Sequence, residues 1–193
     1  MKFQSVRMFR GYLEDAFSKK LPSFFLVISP DPYDRKKIID LICRYLPHKN
    51  SYSVERLSAK DDSFLKMKSQ LEAPSLFGGD PLIIYEDIEN IKKGELKELS
   101  KLLKGSIFGY LICGTKIKPS NLADFEKAGV VLDLTYEKIW EKHKRFAELI
   151  VSKCAQAKKS ISPEAIEKFL DQAGFDRAQI EQEIETLFLK KWI

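Results

Sequence analysis

Residues 29–37 follow a short apolar run and form a turn between what we predict to be a buried strand and a helix. Nucleotide-binding proteins hold phosphate at such a turn, using glycines whose N–H groups surround the anion, a lysine, and a hydroxyl for magnesium. This turn has no glycine, two prolines that lack N–H donors, and two aspartates that place negative charge where phosphate would lie. We therefore expect no nucleotide binding, and we interpret Lys36 and Lys37 as surface lysines.

Residues 82–87 have the pattern of the strand that holds magnesium in nucleotide-hydrolysing proteins, because an apolar run ends at Glu86 and Asp87. Many parallel strands end in acidic residues, so this pattern is weak by itself. Without a phosphate-binding turn, we expect no bound nucleotide whose magnesium the two carboxylates could hold. We interpret them as structural.

The histidines and cysteines are too dispersed for catalysis or metal binding. The histidines are His48 and His143, and the cysteines Cys43, Cys113 and Cys154 include no C-x-x-C pair. No serine or cysteine lies in a nucleophile motif with a histidine. We expect buried thiols without disulfides, and a protein that is not an enzyme and holds no metal and no cofactor.

The remaining notable feature is the turn at residues 73–81. Pro74 and Ser75 precede the bulky apolar pair Leu76 and Phe77, and two glycines follow. Two interpretations are open from these residues alone. The pair either packs under the edge of the sheet as part of the core, or it is exposed on a rigid turn and fills a pocket on a partner protein.

Five apolar runs predict strands, at residues 24–29, 52–57, 82–86, 108–113 and 130–134. Helical spacing predicts helices at residues 6–17, 35–45, 62–72 and 94–104. In the third of these, Asp62 is expected to cap the helix and Leu65 to face the core. Strands that alternate with helices predict an α/β fold with a parallel five-stranded sheet and flanking helices. We assign this domain to residues 1–135.

Residues 136–193 predict a second, small domain of three helices. Apolar positions from Ile139 and Trp140 onward recur at three- and four-residue steps and predict one long helix at residues 136–159. Ser162 is followed by proline and glutamate, which is a strong helix start. Asp176 is expected to open the last helix, with Leu187 on its buried stripe.

The composition is that of an ordinary globular protein, with 44% hydrophobic and 32% charged residues. The formal net charge of +5 is spread among neighbouring acidic residues, so direct DNA binding is the less favoured interpretation. The N-terminus has no secretion signal, and its longest apolar run is far too short to cross a membrane. We expect a cytoplasmic protein without a membrane partner.

Taken in order, these segments resemble the delta subunit of the bacterial DNA polymerase III clamp loader. The matching stretches are residues 25–28 with the turn after them, residues 75–79 leading to 82–86, and residues 128–131, 160–165 and 180–185. The resemblance covers the two N-terminal domains of that family and essentially all of this chain. Each stretch is common by itself, and their order is what makes the resemblance specific.

The resemblance implies an AAA+-like domain without a P-loop and without ATPase activity, followed by a three-helix lid domain. It implies a subunit that binds the ring-shaped DNA sliding clamp, the beta subunit, and opens its ring during bacterial DNA replication. Leu76 and Phe77 would enter an apolar pocket on the clamp, with Pro74 and Ser75 beside them. The further partners implied are the delta-prime and gamma/tau subunits, and DNA indirectly through the assembly.

Two departures from the family matter. The family usually has an asparagine before its last lid helix, where this chain has Gly174, Phe175 and Asp176. Residues 1–193 have no counterpart of the family's helical collar domain, so the sequence is either a fragment or a shortened version, and we expect it to bind the clamp but to assemble poorly with the other loader subunits. The alternative functions are a divergent AAA+ ATPase, which ATP would stabilise, and a DNA-binding module, whose affinity would fall steeply with salt.

Overall fold

A computed structural model describes residues 1–16, 21–46, 52–72 and 79–189. The chain divides into two units, Met1–Tyr136 and Glu137–Ile193. The first unit contains all the described strands and has a core on each face of its sheet. The second unit consists of helices around a core of its own.

The strands of the first unit are β1 (Lys2–Phe3), β2 (Phe24–Ile28), β3 (Tyr52–Ser58), β4 (Asp80–Glu86), β5 (Tyr110–Thr115) and β6 (Val130–Asp133). They form one sheet in the order β1-β6-β2-β5-β4-β3, and every pairing is parallel. Strand β2 is apolar throughout and β4 is apolar from Pro81 to Tyr85, because both faces of the sheet are covered by helices.

The helices of the first unit are α1 (Val6–Ala16), α2 (Pro32–Tyr45), α3 (Phe64–Glu72), α4 (Lys93–Leu102) and α5 (Leu122–Ala128). Helices α1 and α2 pack on one face of the sheet, against alternate residues of the strands such as Phe25 and Val27. Helices α3, α4 and α5 pack on the other face, against Phe24 and Leu26. This alternation is the period-two pattern of a strand with two buried faces.

The predicted fold class is confirmed, and each of the five predicted strands is present within two residues of its predicted bounds. The sheet has a sixth strand, β1, which the sequence did not indicate. Two residues are too few to show an alternating pattern, and β1 exists because Lys2 and Phe3 pair with Val131 and Leu132 of β6. Helix α5 was also missed, since its seven residues span only two turns.

Two predictions for α3 are wrong. The helix begins after Ser63, whose hydroxyl oxygen accepts a hydrogen bond from the N–H of Lys66 at 3.2 Å. Asp62 instead accepts from the N–H of Ser58, at 3.1 Å, and so ties the preceding turn to the end of β3. Leu65 does not face the core and is 70% exposed, because Phe64, Met67 and Leu71 form the buried stripe.

The second unit contains α6 (Ile139–Gln156), α7 (Pro163–Ala173) and α8 (Arg177–Leu189). Their shared core includes Phe146 and Ile150 of α6, Leu170 of α7 and Ile180 of α8. Aromatic rings extend this core, since Phe146 and Phe175 stack with ring centroids 6.4 Å apart.

Three apolar positions of the second unit are not buried as predicted. Ile139 and Trp140 are 76% and 61% exposed, and Leu187 is 38% exposed. Ile139 lies on the same helical face as Phe146, but it is two turns earlier and outside the core cluster of this unit. Periodicity alone does not reveal where the covering helices end.

Ser162 caps α7 as the sequence predicts, since its hydroxyl oxygen accepts from the N–H of Ala165 at 3.2 Å and Pro163 follows it. Replacing Ser162 with alanine leaves that N–H without its partner, and we expect a loss of about 1 kcal/mol in the free energy of unfolding. Urea denaturation measures this loss. Ser152→Ala, at an exposed position inside α6, is the matched control and is expected to be neutral. Equal stability of the two variants would contradict the capping role.

Candidate functional site

The carboxyl end of β2 is where a ligand site is expected in this sheet. The chain leaves β2 toward β3 on one side of it and later crosses from β5 to β6 on the other side. In open parallel sheets, ligands bind in the crevice where the strand order reverses in this way. The residues around this point are therefore the candidate site.

The N–H groups in the first turn of α2, which follows β2, are hydrogen-bonded within the chain. The Oδ1 atom of Asp31 accepts hydrogen bonds from the N–H groups of Tyr33, at 2.8 Å, and Asp34, at 3.1 Å. Pro32, between Asp31 and Tyr33, has no N–H to offer. Free N–H groups at a helix start are what bind phosphate, and here a carboxylate of the same protein occupies them.

Arg35 fills the space next to this turn. Its side chain is only 5% exposed, and its Nη1 donates to the backbone oxygen of Ser29 at 3.0 Å. Its Nη2 lies 3.1 Å from Oδ1 of Asp87, and its Nε lies 3.7 Å from Oε2 of Glu86. Arg35 therefore links the carboxyl ends of β2 and β4 with a buried positive charge.

Asp87 is the centre of this network. Besides Arg35, its carboxylate accepts from the hydroxyl of Ser58 at 3.1 Å and lies 3.3 Å from the ammonium group of Lys60. Its backbone is left-handed, with φ 58° and ψ 35°, a conformation that few residues besides glycine, asparagine and aspartate adopt readily. Three elements thus converge on Asp87: the end of β3, the start of α2 and the turn after β4.

Gly114 of β5 makes room for the arginine. A Cβ atom at this position would lie 3.1 Å from Cδ of Arg35 and 3.3 Å from Cδ1 of Ile39. A glycine inside a strand often marks a place where another group approaches closely. Sequence reasoning missed both Arg35 and Gly114. The available signal was the helical spacing of Arg35 with the buried Ile38, Ile39 and Ile42 of α2.

The two lysines after Arg35 point elsewhere. Lys36 is exposed, as predicted for a surface lysine. Lys37 is half-buried, and its Nζ lies 4.9 Å from the ring centroid of Tyr33.

A second buried carboxylate lies at the end of β6. Asp133 is in ion-pair contact with the ammonium groups of Lys2 at 3.2 Å and Lys118 at 3.0 Å, and it accepts from the N–H of Thr135. Burial favours its neutral form, but the contacts with Thr135, Lys118 and Lys2 outweigh this effect and lower the pKa of Asp133. The carboxylate is therefore charged and paired at neutral pH.

These groups are poorly suited to catalysis because each is engaged within the fold. The thiol of Cys113, in β5, is fully buried, and this burial raises its pKa, so it is a poor nucleophile. Across residues 1–16, 21–46, 52–72 and 79–189, no three histidine, cysteine, aspartate or glutamate side chains are placed to hold a metal ion. The described helices include none long and apolar enough to cross a membrane.

The predicted partner-binding residues Pro74, Ser75, Leu76 and Phe77 lie outside the described residues. The elements on either side of them are described. The backbone oxygen of Leu71, in the last turn of α3, accepts from the N–H of Phe108 at 3.1 Å. Gly109, with φ 69°, lies against the backbone of Pro81, where a Cβ atom would be only 1.9 Å from the proline oxygen. The described residues on both sides of the segment are thus in contact with the loop before β5.

No protein-family profile and no curated protein sequence matches this chain. Its structure is similar to that of the DNA clamp loader delta protein YqeN from Bacillus subtilis. The TM-score is 0.64 with 13% identity, over 93% of this chain and 57% of that one.

Two further solved structures are similar. A RuvB variant from Thermotoga maritima has a TM-score of 0.61 and 14% identity, over 93% of this chain and 59% of that one. AMPPCP-bound DnaA from Aquifex aeolicus has a TM-score of 0.59 and 16% identity, over 98% of this chain and 63% of that one. The chain spans less than two thirds of each of these proteins. The similarity shows that the fold is the AAA+-like α/β fold.

Proposed function

We propose that this chain is a non-catalytic clamp-loader subunit of the delta type, which binds the DNA sliding clamp and opens its ring during bacterial DNA replication. The observation that carries the proposal is the ion pair of Arg35 with Asp87, which fills the position where a nucleotide-binding member of this fold would hold phosphate. The proposed partners are the clamp, the delta-prime and gamma/tau subunits, and DNA through the assembly, in the cytoplasm.

Two features oppose nucleotide binding at this position. The N–H groups at the start of α2 are occupied by Asp31. Arg35 stands in the crevice with its charge already neutralised by Asp87 and Glu86. For ATP to take its place, the buried guanidinium of Arg35 would have to give up its ion pairs with Asp87 and Glu86, and breaking a buried pair costs about 3–5 kcal/mol in comparable sites.

We accordingly expect ATP with magnesium, at millimolar concentration, to leave the thermal unfolding midpoint unchanged, because only a ligand that binds the folded state raises it. We also expect no ATP hydrolysis above background. A thermal-shift titration and a phosphate-release assay measure the two effects. A divergent ATPase would instead show a midpoint that rises with ATP. Turnover that disappears in Lys36→Ala or Lys37→Ala would overturn the proposal of a non-catalytic subunit.

The clamp-binding part of the proposal rests on the resemblance of residues 73–81 to the delta family and on the fixed frame around them. Helix α3 leads into this segment and β4 leads out of it, and both are joined to the loop before β5 through Phe108 and Gly109. A rigid frame lowers the entropy that an apolar anchor loses on binding. Titration of the full chain with the cognate sliding clamp tests the proposal, and we expect saturable binding. Absence of binding would overturn it.

A further inference from the structure

The first two turns of α6 expose apolar side chains on the surface of the second unit. Ile139 and Trp140 are 76% and 61% exposed. Within the described residues, the Trp140 ring has no hydrogen bond and no aromatic or cation–π partner. A free indole ring is unusual on a protein surface, because burying a ring of this size stabilises a fold or an interface.

Three lysines without ion-pair partners surround these side chains. None of Lys138, Lys142 and Lys144 has its ammonium group at ion-pair distance from a carboxylate in the described part of the chain. The nearby acidic residues are engaged otherwise. Glu137 makes two hydrogen bonds with Arg145, at 2.7 and 2.8 Å, and Glu141 accepts from the N–H of Lys138 at 3.2 Å. Lys138, Lys142 and Lys144 outnumber the remaining acidic residues nearby, Glu141 and Glu148, so the patch has a small net positive charge.

The spacing places two of these lysines one helical turn from an exposed apolar residue, and the ammonium group of Lys142 also lies 5.7 Å from the ring centroid of Phe146. Lys144 follows Trp140 by four residues and Lys142 follows Ile139 by three, so each pair lies one helical turn apart on one face, with Cβ atoms about 5–6 Å apart. A ring for base stacking next to ammonium groups for phosphates is the combination that binds single-stranded nucleic acid without sequence preference.

We propose that Trp140, with Lys138, Lys142 and Lys144, forms a binding site for single-stranded nucleic acid on the second unit, separate from the proposed clamp contact. Other partners fit this surface less well. A protein groove that accepts a helix uses successive apolar anchors, and the residue one turn after Trp140 is the charged Lys144. A membrane surface needs a longer apolar face, and here Phe146 and Ile150 are in the core.

The test is a fluorescence anisotropy titration of a labelled dT20 oligonucleotide with the full chain, at several salt concentrations. We expect Trp140→Ala to weaken binding about 5- to 150-fold, as the loss of one stacked base would. Trp140→Phe keeps a ring and should retain most of the affinity. Replacing the three lysines with glutamine should reduce the slope of log K against log salt by about 2, because single strands give about 0.7 per phosphate contact.

Matched variants separate this site from general charge attraction. Lys92→Gln, Lys93→Gln and Lys97→Gln together remove the same charge from exposed positions at the start of α4. Phe108→Ala removes an exposed ring from the first unit. Both controls should leave dT20 binding nearly unchanged. The proposal is overturned if the two lysine triples weaken binding equally, if Trp140→Ala binds dT20 as the wild type does, or if the chain binds phosphatidylserine vesicles and not dT20.

Discussion

Replacing both Leu76 and Phe77 with alanine is expected to weaken binding to the sliding clamp by about two to four powers of ten. If both side chains enter an apolar pocket on the clamp, each contributes roughly 1.5–3 kcal/mol through the apolar surface that it buries. Every 1.4 kcal/mol changes the dissociation constant by about a factor of ten. Titration of surface-immobilised clamp with the wild type and the double variant measures the difference.

The same double variant distinguishes the two interpretations of this pair. An exposed pair contributes little to the core, so the denaturation midpoint should stay near that of the wild type. A pair packed under the sheet would instead lose roughly 2–5 kcal/mol of stability for each side chain. Leu65→Ala, at a leucine of α3 that is 70% exposed, is the control and should change neither property. A double variant that unfolds early, or that binds the clamp normally, contradicts the anchor role.

The second large effect is on stability. Arg35→Met is expected to lower the free energy of unfolding by about 3 kcal/mol, because it removes the buried guanidinium that pairs with the partly buried carboxylate of Asp87. The loss of stability should be at the low end of the range for broken buried ion pairs, because Lys60 and the hydroxyl of Ser58 still contact Asp87. Urea denaturation of the full chain gives the value.

Two further variants test whether the loss comes from the pair itself. Lys36→Met removes the same charge from the next residue of α2, which is exposed, and should be nearly neutral. Asp87→Asn suits the left-handed backbone and removes the negative charge. Combined with Arg35→Met, it should cost less than the sum of the two single changes. If Arg35→Met is as harmless as Lys36→Met, the ion pair does not stabilise the fold.

Most of the fold could be predicted because its strands are buried on both faces. Runs such as Phe24–Ile28 and residues 130–132 are apolar without interruption, and the helices between them are amphipathic. The strand β1 could not be predicted, since the pairing of Lys2 with Val131 depends on the completed sheet. Exposed apolar residues such as Trp140 were assigned to the core because helical periodicity shows that residues share one face of a helix. It does not show whether another element packs against that face.

For the candidate site, the sequence predicts only that no nucleotide binds there, and this stays a prediction. Residues 29–37 contain no glycine and two aspartates, which predicts that phosphate does not bind there. In the structure, Asp31 accepts hydrogen bonds from the N–H groups at the start of α2. The sequence did not show what fills the crevice. Arg35 is followed by two more cations, and only the pitch of α2 decides which of the three points inward. The assignment of Leu76 and Phe77 stays a prediction, since they lie outside the described residues.

The strand order has a consequence for the synthesis of this protein. The central strand β2 pairs with β5 and β6. The strand partners of Phe25, which are Ile112 and Val130, are therefore synthesised long after Phe25 itself. Contacts between residues so distant in sequence form slowly, because a long loop must close first. Among the described strands that are synthesised before β5, only β3 and β4 pair with each other. During the translation of the residues between Ile28 and Leu111, the apolar segment of β2 is therefore without its sheet partners, and this is when the nascent chain is most prone to aggregate.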